Sequence, residues 1–327
     1  MRFFFPWLYG SHDGSSLLSR YLDNAAETGR TVICVGSGNE GASLGHAAGQ
    51  LPKEQQASGE ESVTQQVELM IADYERTINV QLWKNFADRF DIELRAPTGE
   101  EIPVQFTQLK RQEILAGKTQ ILIYVGQPSP YSVHQEIFFD FLPMDDYISA
   151  GVWRFRLTPR RIVAGMYQFY LPGQEARMPG TRFTRAVPEL TLTVPSTSAK
   201  VITVGASNAL YDAYADFSGR GAPTYATTEN VFADTKPDLV APGVDIRVPT
   251  AGGGTVQVSG TSFAAPLVSG TAALLMEWGI VRGNDPYLYG EKMKALLRAG
   301  ARPLRGEAER PNEKTGYGQL CASESLG

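Results

Sequence analysis

Two apolar runs rich in β-branched residues stand far apart in the chain, Thr31-Val32-Ile33-Cys34-Val35 and Lys200-Val201-Ile202-Thr203-Val204-Gly205-Ala206. Runs of this kind, apolar at consecutive positions rather than alternating, are strands buried on both faces, and they belong to parallel sheets covered by helices. The first follows a predicted amphipathic helix over Ser15 to Glu27, with Leu17, Leu18, Tyr21, Leu22 and Ala25 at helical spacing, Ser15 or Ser16 as its N-cap and Gly29 as its stop. It ends in Gly36-Ser37-Gly38, and function in such sheets sits at the carboxyl ends of strands. Further on, the short strand Val256-Gln257-Val258 leads through Ser259-Gly260-Thr261-Ser262 into a helix from Phe263 to Trp278. That helix is small or apolar on nearly every side, so burial is expected all round, with Pro266 placed in its first turn. Glu291 to Ala299 reads as a later amphipathic helix closed by Gly300.

Between the two buried runs the pattern changes to short alternating segments separated by turn residues. Candidate strands are Val67 to Ile71, Ile78 to Trp83, Phe90 to Leu94, Ile121 to Val125, Glu136 to Phe141, Trp153 to Leu157 and Met166 to Leu171. Trp153, Phe155 and Leu157 alternate with Arg154 and Arg156, the period of a strand with one wet face. The expected organisation is α/β over 1–55 and 195–327, interrupted by a β-rich insertion over 56–194 of sandwich or jelly-roll type.

The formal charge of −5 is spread without a basic patch, which argues against nucleic acid as a partner. Two cysteines, Cys34 and Cys321, cannot be the framework of 327 residues. No apolar run is read as reaching the roughly 18 residues of a membrane span, and Met1 to Trp7 is too short for a secretory signal. A cytoplasmic location is expected. An aromatic strand opening at residue 3 without a lead-in implies that the chain begins in mid-domain.

The segment with chemistry in it is Gly260-Thr261-Ser262-Phe263-Ala264-Ala265-Pro266, a serine between a glycine turn and the N-terminus of an apolar helix. Free N–H groups and the positive dipole end there favour negative charge, so Ser262 suits a nucleophile, although a serine in this place also suits a plain helix cap. The heptapeptide resembles the nucleophile motif of the subtilase (subtilisin-like) serine proteases, and three further blocks match that family in the same order. Gly36-Ser37-Gly38-Asn39-Glu40-Gly41 resembles its oxyanion-hole motif, and Ala215-Asp216-Phe217-Ser218-Gly219-Arg220-Gly221 and Lys236-Pro237-Asp238-Leu239-Val240-Ala241-Pro242-Gly243-Val244 resemble the segments that precede the serine. The likeness covers 7–55 and 195–327. An insertion at this place, with Gly10-Ser11-His12-Asp13-Gly14-Ser15-Ser16-Leu17-Leu18 and Gly316-Tyr317-Gly318-Gln319-Leu320-Cys321, looks like the clostridial spore-germination subtilases, which carry a jelly-roll insert and cut other proteins.

The resemblance implies a parallel sheet lacking its first strands, a protein or peptide substrate, Ser262 as nucleophile and Asn39 as oxyanion donor, with Tyr9, Gly10, Gly36, Ser37, Gly38 and Thr261 as candidates to line the cleft. It implies no cofactor; calcium, which subtilases often bind, has no readable site. The family's Asp and His motifs do not occur, so the chain alone is expected to be inactive, and a non-catalytic relative that binds a partner is the alternative. Of the three histidines, His12 suits a loop role, His46 sits near enough to Asn39 to approach the cleft rim, and His134 falls in the insert as a surface residue. Asp13, Glu40 and Asp238 occupy positions that are structural in the family, and Cys34 is a small core hydrophobe. Trp7-Leu8-Tyr9-Gly10 departs from the family's substrate-pairing strand, which leaves specificity unread. In the insert, Tyr124, Tyr131, Trp153 and Tyr167 are either a ligand platform or sandwich core.

Overall fold

A computed structural model of the chain describes residues 2–3, 9–53, 64–105, 111–127, 130, 132–222, 235–307 and 309–326. The chain forms two compact units, Met1–Ala42 with Pro188–Gly327, and Ser43–Val187. In chain order the elements begin with β1 (Arg2–Phe3), α1 (Leu17–Thr28) and β2 (Cys34–Gly36). There follow β3 (His46–Gln50), β4 (Gln65–Ile71), β5 (Ile78–Asn85), β6 (Arg89–Arg95), β7 (Glu101–Val104) and β8 (Gln112–Ala116). The middle unit is completed by β9 (Thr119–Val125), β10 (His134–Pro143), β11 (Gly151–Arg161), β12 (Met166–Tyr170) and β13 (Arg182–Phe183). Last come β14 (Ile202–Asn208), β15 (Ala213–Tyr214), β16 (Leu239–Pro242), β17 (Ile246–Pro249), β18 (Thr255–Val258), α2 (Thr261–Met276) and α3 (Gly290–Ala299).

In the first unit β1, β2, β14 and β16 are joined by parallel pairing. The consecutive apolar residues of β2 and its approach are explained by what covers each face. Ile33 and Val35, with Val201, pack on Leu22 and Ala26 of α1. Cys34, with Ile202, Val204, Ala206, Leu239 and Ala241, packs on Ala264, Ala265, Val268, Ala272 and Leu275 of α2 and on Met293 and Leu297 of α3. Ser16 caps α1 by accepting from Ser19 N at 3.1 Å, and Gly29 N closes it on Ala25 O at 3.0 Å. The buried stripe of α1 is Ser19, Leu22 and Ala26, while Leu17 and Tyr21 are exposed. The helix is rotated from the apolar reading because Ser19 is held inward, its carbonyl accepting from Ser198 Oγ at 3.2 Å.

Helix α2 departs from expectation in three ways. It starts at Thr261, so Pro266 lies inside it rather than in its first turn, and the Ser262 carbonyl lacks the usual donor four residues on. It is buried on one side only, with Leu267 and Leu274 exposed at 41% and 67%. With the π-type turn Glu277–Val281 that extends it, the run Thr261–Val281 is long and apolar enough to cross a membrane, contrary to the sequence reading; its buried residues pack on the sheet as those of a core helix do.

The second unit is built from two antiparallel sheets, β3-β12-β5-β10-β9-β8 and β13-β4-β11-β6-β7. The chain passes from β4 in one sheet to β5 in the other and back from β10 to β11, so that β4 lies beside β11 and β5 beside β10. Both sheets face one core, where Phe139 meets Phe155 edge-on at 5.2 Å and Phe141 meets Trp153 at 5.1 Å. Strand β3, which the sequence reading left in the α/β part before residue 56, belongs here and pairs with β12.

Candidate active site

Strand β2 ends at Gly36, and the following residues form a tight loop against the start of α2. Ser37 N donates to Val204 O at 2.9 Å, carrying the chain off the sheet edge. Gly38 has φ +97, and a Cβ there would lie 2.4 Å from Thr193 Cγ2, so only glycine fits. At Gly36 the constraint is approach: a Cβ would lie 2.9 Å from Thr261 Oγ1 and 3.1 Å from Thr261 backbone atoms. These glycines let the loop touch the N-terminus of α2.

The contact is specific. Thr261 N and Thr261 Oγ1 both donate to Asn39 Oδ1, at 3.0 and 3.1 Å, and Gly38 N donates to Thr261 Oγ1 at 3.2 Å. A backbone N–H can be accepted only by the amide oxygen, so the orientation of Asn39 is fixed and its NH₂ group is turned away from Thr261. Ser262, the next residue, stands half-buried in the first turn of α2, where the helix dipole favours a developing anion. No hydrogen bond to Ser262 Oγ exists among the described residues.

The other candidates fall in different places. Ser37 is wholly buried with its hydroxyl 3.1 Å from Ser218 Oγ, so it braces the loop and offers no side chain to a cleft. Thr261 is 2% exposed and acts through Asn39. Tyr9 and Gly10 lie outside any strand, and Trp7 and Leu8 fall outside the described residues. The two blocks read as preceding the serine turn out to be the loop's supports. Gly41 N donates to Phe217 O, Gly219 N to Gly38 O and Gly260 N to Gly243 O, at 2.9, 2.8 and 2.8 Å. Thr193, whose N donates to Ser37 O at 3.0 Å, was not legible from sequence because no motif marks it.

No histidine is in hydrogen-bond contact with Ser262 among the described residues. His12 is buried with Nδ1 2.9 Å from Leu192 O, which requires the proton on Nδ1. His46, read as a residue that could reach the cleft rim, lies in the second unit, 2% exposed, with Nδ1 3.1 Å from Val187 O and its ring stacked 4.5 Å from Tyr170. His134 begins β10 and is half-buried. Asp13 caps a turn by accepting from Ser15 N at 2.8 Å. Asp238 is wholly buried among Lys236 (2.9 Å), Lys294 (3.4 Å) and Arg298 Nε (2.8 Å). Burial pushes its carboxyl up, but the three cations and the Thr203 N–H outweigh this and hold it below its ordinary value. Burial drives Lys236 down to about 8 and the Cys34 thiol up to about 11. No group of three or more His, Cys, Asp or Glu is placed to hold a metal among the described residues.

A parallel sheet, a glycine loop at the end of β2 and a serine in the first turn of α2 define an α/β fold in which Ser262 follows the residue that holds Asn39. Residues 184–318 match the model of the subtilase family. The chain is 35% identical to the CspB protease of Clostridium perfringens, whose solved structure it matches at a TM-score of 0.86 over 99% of this chain and 65% of that one. It is 34% identical over 137 residues to the serine protease AprX of Bacillus subtilis, covering 36% of this chain and 28% of AprX, and 38% identical over 95 residues to proteinase R of Parengyodontium album, covering 29% and 21%. The chain therefore spans about two thirds of the CspB structure and between a fifth and a third of these two curated relatives. Residues 184–318 thus carry the subtilase match, and the chain as a whole is similar to a solved subtilase structure.

Proposed function

We propose that this chain is the nucleophile-bearing part of a subtilisin-like serine endopeptidase. Ser262 Oγ attacks the scissile carbonyl of a protein or peptide substrate, forming an acyl-enzyme, and the Asn39 amide with the Ser262 N–H stabilises the oxyanion. The observation that carries this reading is the pair of hydrogen bonds that Thr261 N and Oγ1 donate to Asn39 Oδ1, which fixes the amide before any substrate arrives. The mechanism also requires a histidine and an aspartate to activate the serine, and among the described residues no histidine of this chain is hydrogen-bonded to Ser262. Ser37 takes no part beyond holding the loop. The β unit is read as a jelly-roll-like insert without a catalytic group.

The test is to join an Asp- and His-bearing subtilase N-terminal region to this chain and follow casein hydrolysis. Ser262→Ala should abolish turnover, and Asn39→Ala should lower it by about 10² to 10³ with little change in binding, the ordinary cost of losing one oxyanion donor. Unchanged turnover in Asn39→Ala would remove it from the site. Activity that survives Ser262→Ala would sink the whole reading.

A further inference from the structure

We propose that the open edge of the insert between β3 and β4 binds an extended polypeptide segment carrying an acidic residue. This inference does not depend on the serine chemistry. Its starting point is a cavity of ≈ 340 Å³ whose lining includes Ala48, Gln65, Gln66, Glu68, Tyr167 and Arg185.

The backbone at this edge is unsatisfied in a strand-like pattern. Gly45 O accepts from Leu171 N, and Leu51 N donates to Gly165 O, at 2.8 and 2.9 Å. The odd-numbered residues of β3 therefore face β12, and the amide groups of His46, Ala48 and Gln50 point out of the sheet. The chain uses the first of these, because Val187 N donates to His46 O at 2.8 Å. The next residue is Pro188, which has no N–H to donate. Across the cavity, Thr184 N donates to Glu68 O at 3.0 Å, so in β4 the even-numbered residues face outward and Gln66 is the next open position. Segment 184–187 thus begins an added strand along both edges and leaves Ala48 and Gln66 without backbone partners on their outer side among the described residues. An exposed row of such groups is a template for another strand.

The side chains define what kind of strand fits. Val67 and Phe183 are buried, and the Tyr167 ring lies so close over Gly49 that a Cβ there would be 2.3 Å from its hydroxyl, giving a rigid, largely apolar floor. Glu68 is already engaged by Arg154 at 3.0 Å. Arg185 is exposed and makes no ion pair or hydrogen bond among the described residues, so its planar fork is uncommitted at the mouth and suits a carboxylate. A glycan would call for an exposed aromatic face, and Tyr167 is 4% exposed.

The experiment uses the full chain and a fluorescein-labelled seven-residue peptide of alternating valine and threonine with a central aspartate, followed by anisotropy. Saturable binding is expected. Ala48→Pro should weaken it at least about tenfold while leaving the β3–β12 ladder intact, because proline is tolerated where the N–H faces away from the sheet. Arg185→Glu should shift preference from the aspartate peptide to one with a central lysine. Methylating alternate peptide amides should abolish binding to the unaltered protein, and this arm decides the matter if Ala48→Pro fails to fold. No saturable binding, or binding indifferent to Ala48→Pro, Arg185→Glu and amide methylation, overturns the proposal.

Discussion

The loop around Asn39 and the core of the insert are stabilised by different physics. In the first, backbone passes within contact distance of backbone, and glycine at positions 36 and 38 is required by atoms of Thr261 and Thr193. Specific hydrogen bonds then fix single groups, as Thr261 does for Asn39. In the second, large side chains such as Trp153, Phe139, Phe141, Phe155 and Phe169, all fully buried, fill space between two sheets. A core of that kind tolerates exchange of one apolar shape for another, whereas the loop is sensitive to one methyl group.

The largest effects should come from removing what each region cannot replace. Trp153→Ala, which empties a ring contact and leaves Ser149 O without its indole donor, should cost the insert about 3 to 5 kcal/mol in urea unfolding. Asp238→Ala should cost the α/β unit a comparable ~3 to 5 kcal/mol, since three cations are left around an empty place. Below these stands Gly36→Ala, expected to cost about 1 to 3 kcal/mol by forcing α2 off the loop. Phe139→Leu in the insert should cost less than about 1.5 kcal/mol, and if it proved the more damaging of these last two, the contrast drawn between the regions would fail.

A pH dependence is also expected in the α/β unit. Lys236 titrates near 8 in the folded chain because burial disfavours its charge, against 10.5 in the open. Between those values the unfolded chain binds the proton and the folded chain does not, so stability gains from this group as pH rises from about 8 to 10.5. Unfolding midpoints of the unaltered chain and of Lys236→Met, compared at pH 7.5 and 10, should diverge in favour of lysine at the higher pH. A difference independent of pH would show that burial does not lower the Lys236 pKa in the folded chain.

Much of the α/β unit was legible because its glycines, serines and β-branched runs sit at fixed offsets along single segments. The nucleophile helix, the Asn39 loop and the parallel strands follow from those offsets. What escaped depends on partners distant in sequence. Strand β3 reads His46-Ala47-Ala48-Gly49-Gln50, with no β-branched residue, and is a strand because Tyr167 fills the space over Gly49. The edge strands β7 and β8 were missed for a similar reason, their polar residues facing solvent. Ser37 was read as a cleft candidate together with its neighbours, and only Ser218, far along the chain, shows that its hydroxyl is engaged inside the fold. Of the aromatic residues read as either a platform or sandwich core, Trp153 and Tyr167 are core, Tyr124 is exposed at 41%, and Tyr131 lies outside the described residues.

The central claim is that this chain holds a prepared nucleophile and oxyanion donor without a base to activate them. It is tested most directly by incubating the chain with a fluorophosphonate and following intact mass. Labelling should be slow, should be accelerated by added imidazole, and should be lost in Ser262→Ala, since a serine without its base retains only the modest catalysis supplied by the oxyanion site. Rapid Ser262-dependent labelling without imidazole would contradict the account, because a base would then already be present within the 327 residues.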